Sequence, residues 1–431
     1  MVNERRWLIL ILGLYTLLAL AYSLLMPIWE APDEPAHYHL AWHLAHYKEY
    51  ASEEINYEAH QPRAFYYLGS WMIRALDTID PALTRYIRPT EYKYNIRKPV
   101  RRFEWTDENY RFVWGIYLLR WVNIVLGGIA LWLSWKTFKH VAPTQPALCI
   151  AALAFAALTP QYLHIMASVN NDALGTLAGA LLFYTAIRFL NEPSNALGLP
   201  LIAAAISLPL LTKLTVLPVS MAVLLTITGK WFFGFPQKRW LLYSVVFVLL
   251  GAGFFYLVFP ETIQSAWNEI QWRLFSLRKN ALTEEYIKAV SSQILWTYWG
   301  KVGWLAVGLP LWIIQLLTGL GVTGMILNIY SLIKSRTGGL QLGLWLVVWL
   351  VAALTLLAVF RNGLTTFATQ GRLLFPAIGA LSLLMVAGWH ALLPERFARY
   401  LPALIILLFF CCNMVLWFTG ILPVYYQPFL D

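Results

Sequence analysis

Residues 7–38 read WLILILGLYTLLALAYSLLMPIWEAPDEPAHY, an uncharged apolar run followed by three carboxylates and a histidine within eight residues. A helix needs roughly 20 apolar residues to cross a hydrocarbon core, so 7–27 is read as a membrane span. Its length, and an end at Met26-Pro27-Ile28-Trp29 without a small-x-small site, set it apart from a cleaved signal peptide. Helix exits usually carry aromatic and basic anchors. An acidic cluster framed by Pro32 and Pro35 at that depth suits a catalytic base instead.

The rest of the chain extends the same reading. Of 431 residues, 59% are hydrophobic and 13% charged, and the mean hydropathy is +0.58. The apolar runs are continuous and do not alternate with period two, which excludes an outer-membrane barrel. The expected fold is all-α and polytopic, with about 11 transmembrane helices near 7–27, 113–135, 147–163, 171–188, 196–212, 214–229, 240–259, 304–330, 341–360, 373–389 and 402–422. The pair at 196–229 also reads as one broken hairpin. With the N-terminus in the cytoplasm, the short inner loops hold Arg5/Arg6, Lys136/Lys139, Arg188, Lys230/Lys238/Arg239, Lys334/Arg336 and Arg396/Arg399, as the positive-inside rule requires. The net charge of +10 therefore serves topology, and no nucleic-acid partner is expected. Cys149, Cys411 and Cys412 fall in spans and have no metal-ligand spacing.

Residues 1–431 are read as one integral membrane domain with two long outer loops, 29–112 and 260–303. In the first, His37–Tyr50 suits a helix with His39, His43 and His46 on one side. Residues 65–76 suit an amphipathic helix lying in the interface. Arg85, Arg88, Lys93, Arg97, Lys98, Arg101 and Arg102 form a basic run with tyrosines between them, suited to anionic headgroups or to guiding a phosphorylated substrate.

Four motifs in order carry a resemblance: Ala31-Pro-Asp-Glu-Pro-Ala-His37, His60-Gln-Pro-Arg-Ala-Phe-Tyr-Tyr67, Ser168-Val-Asn-Asn-Asp172 and Gln370-Gly-Arg-Leu-Leu-Phe-Pro376. Trp299-Gly-Lys-Val-Gly-Trp304 fits as a fifth. The set resembles the GT-C superfamily of membrane glycosyltransferases, which includes protein O-mannosyltransferases and the aminoarabinose transferases of lipid A. It is closest to a bacterial polytopic family of unassigned function with PDEP, NND and QGR motifs. Arg63 departs from the pattern, standing where the second motif usually has proline.

The resemblance implies a GT-C-like enzyme of a bacterial or archaeal plasma (inner) membrane. It would move a hexose or pentose from a polyprenyl-phosphate donor to a glycan, lipid or protein acceptor outside the membrane, inverting the anomeric carbon. It puts the base at Asp33. Glu34 would be an auxiliary carboxylate for sugar hydroxyls or a metal ion. Asp33 also suits a helix N-cap, with Pro35 in the first turn. The leaving phosphate needs persistent cations. Arg372 is the leading candidate, unless it only snorkels from a helix end. Lys213 interrupts an apolar stretch, where charge is costly, and Lys301 and Arg361 are weaker alternatives. Substrate contacts are expected from His37, His60, Gln61, Asn171, Asp172 and Gln370, with Asp172 equally suited to capping a helix. No cofactor is required by these motifs, although Glu34, His37 and Asp172 suit a divalent ion.

The chain has no G-x-G-x-x-G after a strand and no P-loop, which favours a donor delivered through the bilayer. A transporter or flippase of lipid-linked sugars, or a non-catalytic lipid-binding subunit, shares several of these features. The absence of a convincing internal repeat and the clustering of polar candidates on one side favour the enzyme.

Overall fold

The Ala-rich stretch 146–158 forms the centre of the bundle. Pro146 opens helix α5 (Pro146–Leu158) in its first turn, where its missing N–H costs nothing, and every residue from Ala147 to Leu158 is buried. A helix apolar on all sides belongs inside. Its small side chains let α1 (Glu4–Leu25), α4 (Tyr110–Val141), α14 (Ile378–Leu392) and α15 (Leu401–Leu416) close around it. The computed structural model describes residues 4–76, 110–192, 197–234, 260–335, 337–367 and 369–426.

Between these come α2 (Glu34–Tyr47), α3 (Ala64–Ala75), α6 (Pro160–Met166), α7 (Asp172–Asn191), α8 (Gly198–Leu211), α9 (Leu217–Gly234), α10 (Pro260–Phe275), α11 (Glu284–Trp299), α12 (Leu311–Lys334) and α13 (Gly339–Thr365). Among the described residues the one sheet is a hairpin, β1 (Lys301–Val302) antiparallel to β2 (Val307–Gly308). The protein is thus an α-helical polytopic membrane protein.

Among the described residues, eight helical segments are long and apolar enough to span a membrane, and α5 with α6 makes a ninth, bent by 59° where Pro160 follows Thr159. Of the other two expected spans, 196–212 yields the 14-residue α8, and 240–259 lies outside the described residues, as does the basic run 85–102. The expected span at 304–330 begins later, at Leu311, because residues 301–308 fold into the hairpin.

Helix α4 has 32 residues and so runs about 48 Å at 1.5 Å per residue, well beyond a hydrocarbon core of about 30 Å. Its first turns, at Phe112, Val113 and Ile116, pack with Trp29, Tyr38, Trp42, Phe65 and Tyr66 into a second core beneath α2 and α3. This satellite core fixes the first loop onto the bundle. Helix α3 leaves Tyr67, Leu68 and Trp71 exposed, Trp71 by 74%, consistent with a helix lying in the interface.

Candidate active site

The loop leaving α1 is held by a buried arginine. Arg120, within α4, donates from Nη1 to Ser23 O (2.6 Å) and Met26 O (2.9 Å), and from Nη2 to Pro27 O (3.2 Å). It thereby satisfies carbonyls that the helix end leaves open. The same guanidinium grips Glu34 bidentately, Nε to Oε1 at 2.8 Å and Nη2 to Oε2 at 2.6 Å. Glu34 also accepts from Trp29 N (3.1 Å) and Val169 N (3.0 Å). These four bonds fill the acceptor positions of a carboxylate, and both side chains are 0% exposed. The expectation of Glu34 as an auxiliary catalytic or metal-binding group is not met by this geometry, in which Glu34 anchors the loop.

Asp33 takes the opposite direction. Its backbone is left-handed, with φ 62°, and its side chain makes no cap to α2, so the capping alternative is also corrected. That conformation costs an L-residue about 1–2 kcal/mol, and it is held by the bonds that flank it. Asp33 Oδ2 lies 2.5 Å from Arg372 Nη2. Asp33 Oδ1 accepts from Tyr57 OH at 3.4 Å.

Arg372 reaches this point because the backbone around it is unusually close to two helices. A β-carbon on Gly371 would lie 2.4 Å from both Ile294 O and Tyr298 N of α11, and one on Gly179 of α7 would lie 2.3 Å from Pro376 O. The two glycines seat the 3₁₀ segment Gly371–Ala377, and Gly371 N donates to Thr297 Oγ1 at 2.6 Å. Arg372 Nη1 is 3.5 Å from Asp172 Oδ2. Its Nε and Nη1 are buried without a hydrogen-bond partner among the described residues.

The start of α7 supplies the next groups. Asn170 Oδ1 accepts from Asp172 N (2.9 Å) and Ala173 N (3.3 Å), so Asn170 is the residue that caps this helix and Asp172 is released from that duty. Asp172 Oδ1 pairs with Lys213 Nζ at 2.7 Å, and Lys213 also donates to Asn171 Oδ1 at 2.8 Å. Asn171 Nδ2 donates to Gln61 Oε1 (3.3 Å), and Gln61 Nε2 is 3.3 Å from His60 Nε2. One polar chain thus joins Asp33, Arg372, Asp172, Lys213, Asn171, Gln61 and His60. The carboxylates and cations in it are at most 19% exposed.

His37 flanks this chain, with Nδ1 2.8 Å from Tyr66 OH and its ring stacked on Tyr66 at 5.8 Å. Burial, then the charge of Lys213, lowers its pKa to about 3, so the ring is neutral at physiological pH. Burial alone would raise the Asp33 carboxyl, but the charges of Arg372 and Lys213 outweigh it and hold Asp33 below its ordinary value.

Three expected ligands stand apart. The Lys301 ammonium lies over the Trp296 ring at 4.3 Å, and Arg361 donates to Thr365 Oγ1 (2.8 Å) and Ser276 O (3.0 Å). Gln370 precedes Arg372 with its Oε1 buried and unpartnered. Glu34, His37 and Asp172 do not fit a divalent ion, since Glu34 is consumed by Arg120 and Asp172 faces two cations. Among the described residues no three His, Cys, Asp or Glu side chains gather as metal ligands.

One residue that builds the site was missed from sequence. Arg120 had a signal, since a lone arginine in the apolar stretch Tyr117-Leu-Leu-Arg-Trp-Val-Asn123 is itself anomalous. The motif Trp299–Trp304 proves to be scaffold: Trp304 Nε1 donates to Trp29 O (2.8 Å), and Lys301 N to Gln161 Oε1 (2.8 Å).

Residues 114–263, less than half of the chain, match the family described as dolichyl-phosphate-mannose-protein mannosyltransferase. No curated protein matches the chain. Two solved structures are similar at a TM-score of 0.50. One is ArnT from Cupriavidus metallidurans bound to undecaprenyl phosphate, 12% identical, with 97% of this chain and 73% of that chain covered. The other is the archaeal oligosaccharyltransferase AglB from Archaeoglobus fulgidus, in complex with an inhibitory peptide and a dolichol-phosphate. It is 13% identical, with 96% of this chain covered, and the match spans 56% of the AglB chain's length. These likenesses show a shared fold.

Proposed function

On the premise that the chain has the GT-C fold, we propose that it is a polyprenyl-phosphate-dependent glycosyltransferase of a bacterial or archaeal plasma membrane, with its site facing outside. The supporting observation is Arg372: a buried guanidinium beside Asp33 whose Nε and Nη1 make no hydrogen bond among the described residues, Nη1 standing 3.5 Å from Asp172 Oδ2. Unpartnered buried donors cost free energy, and a lipid-linked phosphate would satisfy them. Lys213 stands across Asp172 as a second cation, so charge developing on the leaving phosphate meets two prepositioned positive groups. Asp33 polarises the acceptor hydroxyl for in-line attack on the anomeric carbon, with inversion. The acceptor is a glycan, lipid or protein, and the sugar a hexose or pentose.

Purified protein mixed with undecaprenyl-phosphate mannose, glucose or galactose tests this reading by thermal shift and sugar release. One donor should stabilise the protein and lose its sugar slowly to water. Intact protein that neither shifts nor releases sugar with any of the three would contradict it.

A further inference from the structure

Glu58 lies on the short 3₁₀ turn Tyr57–His60. Asn56 fixes that turn: its Oδ1 accepts from Glu58 N and its Nδ2 donates to Ala36 O of α2, each at 2.9 Å. On either side of Glu58 the chain is bonded into the site, through Tyr57 OH to Asp33 and through Gln61 Oε1 to Asn171. The turn is half-buried, and the Glu58 carboxyl makes no hydrogen bond or ion pair among the described residues. Asp33 and Asp172, by contrast, are both committed to cations.

We propose that Glu58 is a second catalytic carboxyl of this site, the terminal acceptor of the proton that leaves the acceptor hydroxyl, while Asp33 orients and polarises that hydroxyl. The proposal rests on the transferase reading above. In the transfer the acceptor O–H bond breaks, and its electron pair forms the bond to the anomeric carbon. The bond from that carbon to the phosphate oxygen breaks, and polyprenyl phosphate leaves with the pair. The proton ends on Glu58 and is later given up to water at the half-buried turn.

The charges around Glu58 suit this division of labour. Asp33 acts on it from the loop before α2, His60 from its own turn, Lys213 from the turn before α9, and Arg372 from the segment after α13. Burial pushes the Glu58 carboxyl above the ordinary glutamate range and the charge of Asp33 adds to this, while His60, Lys213 and Arg372 offset only part. Asp33 is shifted the other way. Two carboxyls driven apart by their surroundings take different proton-transfer roles: Asp33 stays ionised, and Glu58 is the better proton acceptor.

Sugar release from undecaprenyl-phosphate mannose, glucose and galactose by wild type, Glu58→Gln and Glu58→Asp tests this, with kcat, donor KM and pH profile recorded. Glu58→Gln should lower kcat by about 100-fold or more, as expected for lost general-base help, with donor KM nearly unchanged. Glu58→Asp should recover part of kcat and move the acid limb of the profile to lower pH. Wild-type kcat in Glu58→Gln, with an unmoved acid limb, would overturn the role of Glu58 and leave the transferase reading standing. If Glu58→Gln does not fold, the limb in Glu58→Asp decides alone, and an unmoved limb overturns the role. A folded wild type that releases no sugar from any donor overturns both.

Discussion

Arg372 Nη2 meets Asp33 Oδ2 at 2.5 Å across 339 residues of sequence. The proposed phosphate ligand and the proposed polarising carboxylate therefore hold each other before substrate arrives. On the proposed function, a donor phosphate would compete with Asp33 for the guanidinium, so donor binding should free the Asp33 carboxylate to face the acceptor hydroxyl.

Arg372→Gln should weaken binding of undecaprenyl phosphate about 10- to 100-fold, from the loss of charge-assisted hydrogen bonds worth about 1.5–3 kcal/mol. Arg372→Lys should recover little, because a point charge does not replace a planar fork. Titration of tryptophan fluorescence measures this, and unchanged affinity in Arg372→Gln would remove Arg372 from the phosphate site.

Glu34 and Arg120 should behave as structural partners. Removing one member of a buried pair costs about 3–5 kcal/mol, so Glu34→Leu should lower Tm sharply. Glu34→Leu combined with Arg120→Met should regain part of the loss. A Glu34→Leu protein with wild-type Tm and no turnover would restore Glu34 to the catalytic machinery.

Gly179→Ala should disturb the site from a distance. Its new β-carbon meets Pro376 O at 2.3 Å, and overpacking of this kind costs about 1–3 kcal/mol. Tm should fall and undecaprenyl phosphate should bind less tightly, because Arg372 shares the displaced segment. Gly343→Ala, on α13 with nothing within 4 Å of the new atom, should leave both measurements unchanged.

Acid should destabilise the protein through His37. Its folded-state pKa, lowered to about 3, lies below the unfolded value of about 6.5. Between these values the unfolded chain binds a proton that the folded site refuses, so the His37 contribution to stability is full above pH 6.5 and is lost as pH falls toward 3. Tm measured from pH 7.5 to 4.5 should fall less in His37→Gln than in wild type. Parallel curves would show that His37 titrates alike in the folded and unfolded chain, contrary to the lowered value.

The helical class was legible because apolar runs near bilayer length admit few alternatives. The site was legible in part. Asp33, His60, Gln61, Asn171, Asp172, Lys213 and Arg372 are scattered over some 340 positions, yet the structure brings them into one polar chain, because polar groups at span ends are restricted to one side and must find partners there. Glu34 misled because two adjacent carboxylates look equivalent in sequence. The left-handed turn at Asp33 sends one toward Arg372 and the other toward Arg120, a divergence that no local pattern encodes. The hairpin at 301–308 was hidden for a similar reason, being set by contacts with α11 and the first loop, whereas the bend after α5 was marked in the sequence by Pro160.

The most direct test is single-turnover sugar release by wild type and Asp33→Asn with the donor that shifts Tm. Asp33→Asn should bind undecaprenyl phosphate as tightly as wild type or more tightly, since Arg372 loses its internal competitor, while the rate falls by about 10²- to 10⁴-fold. A correctly inserted Asp33→Asn protein that releases sugar at the wild-type rate would contradict the assignment of Asp33.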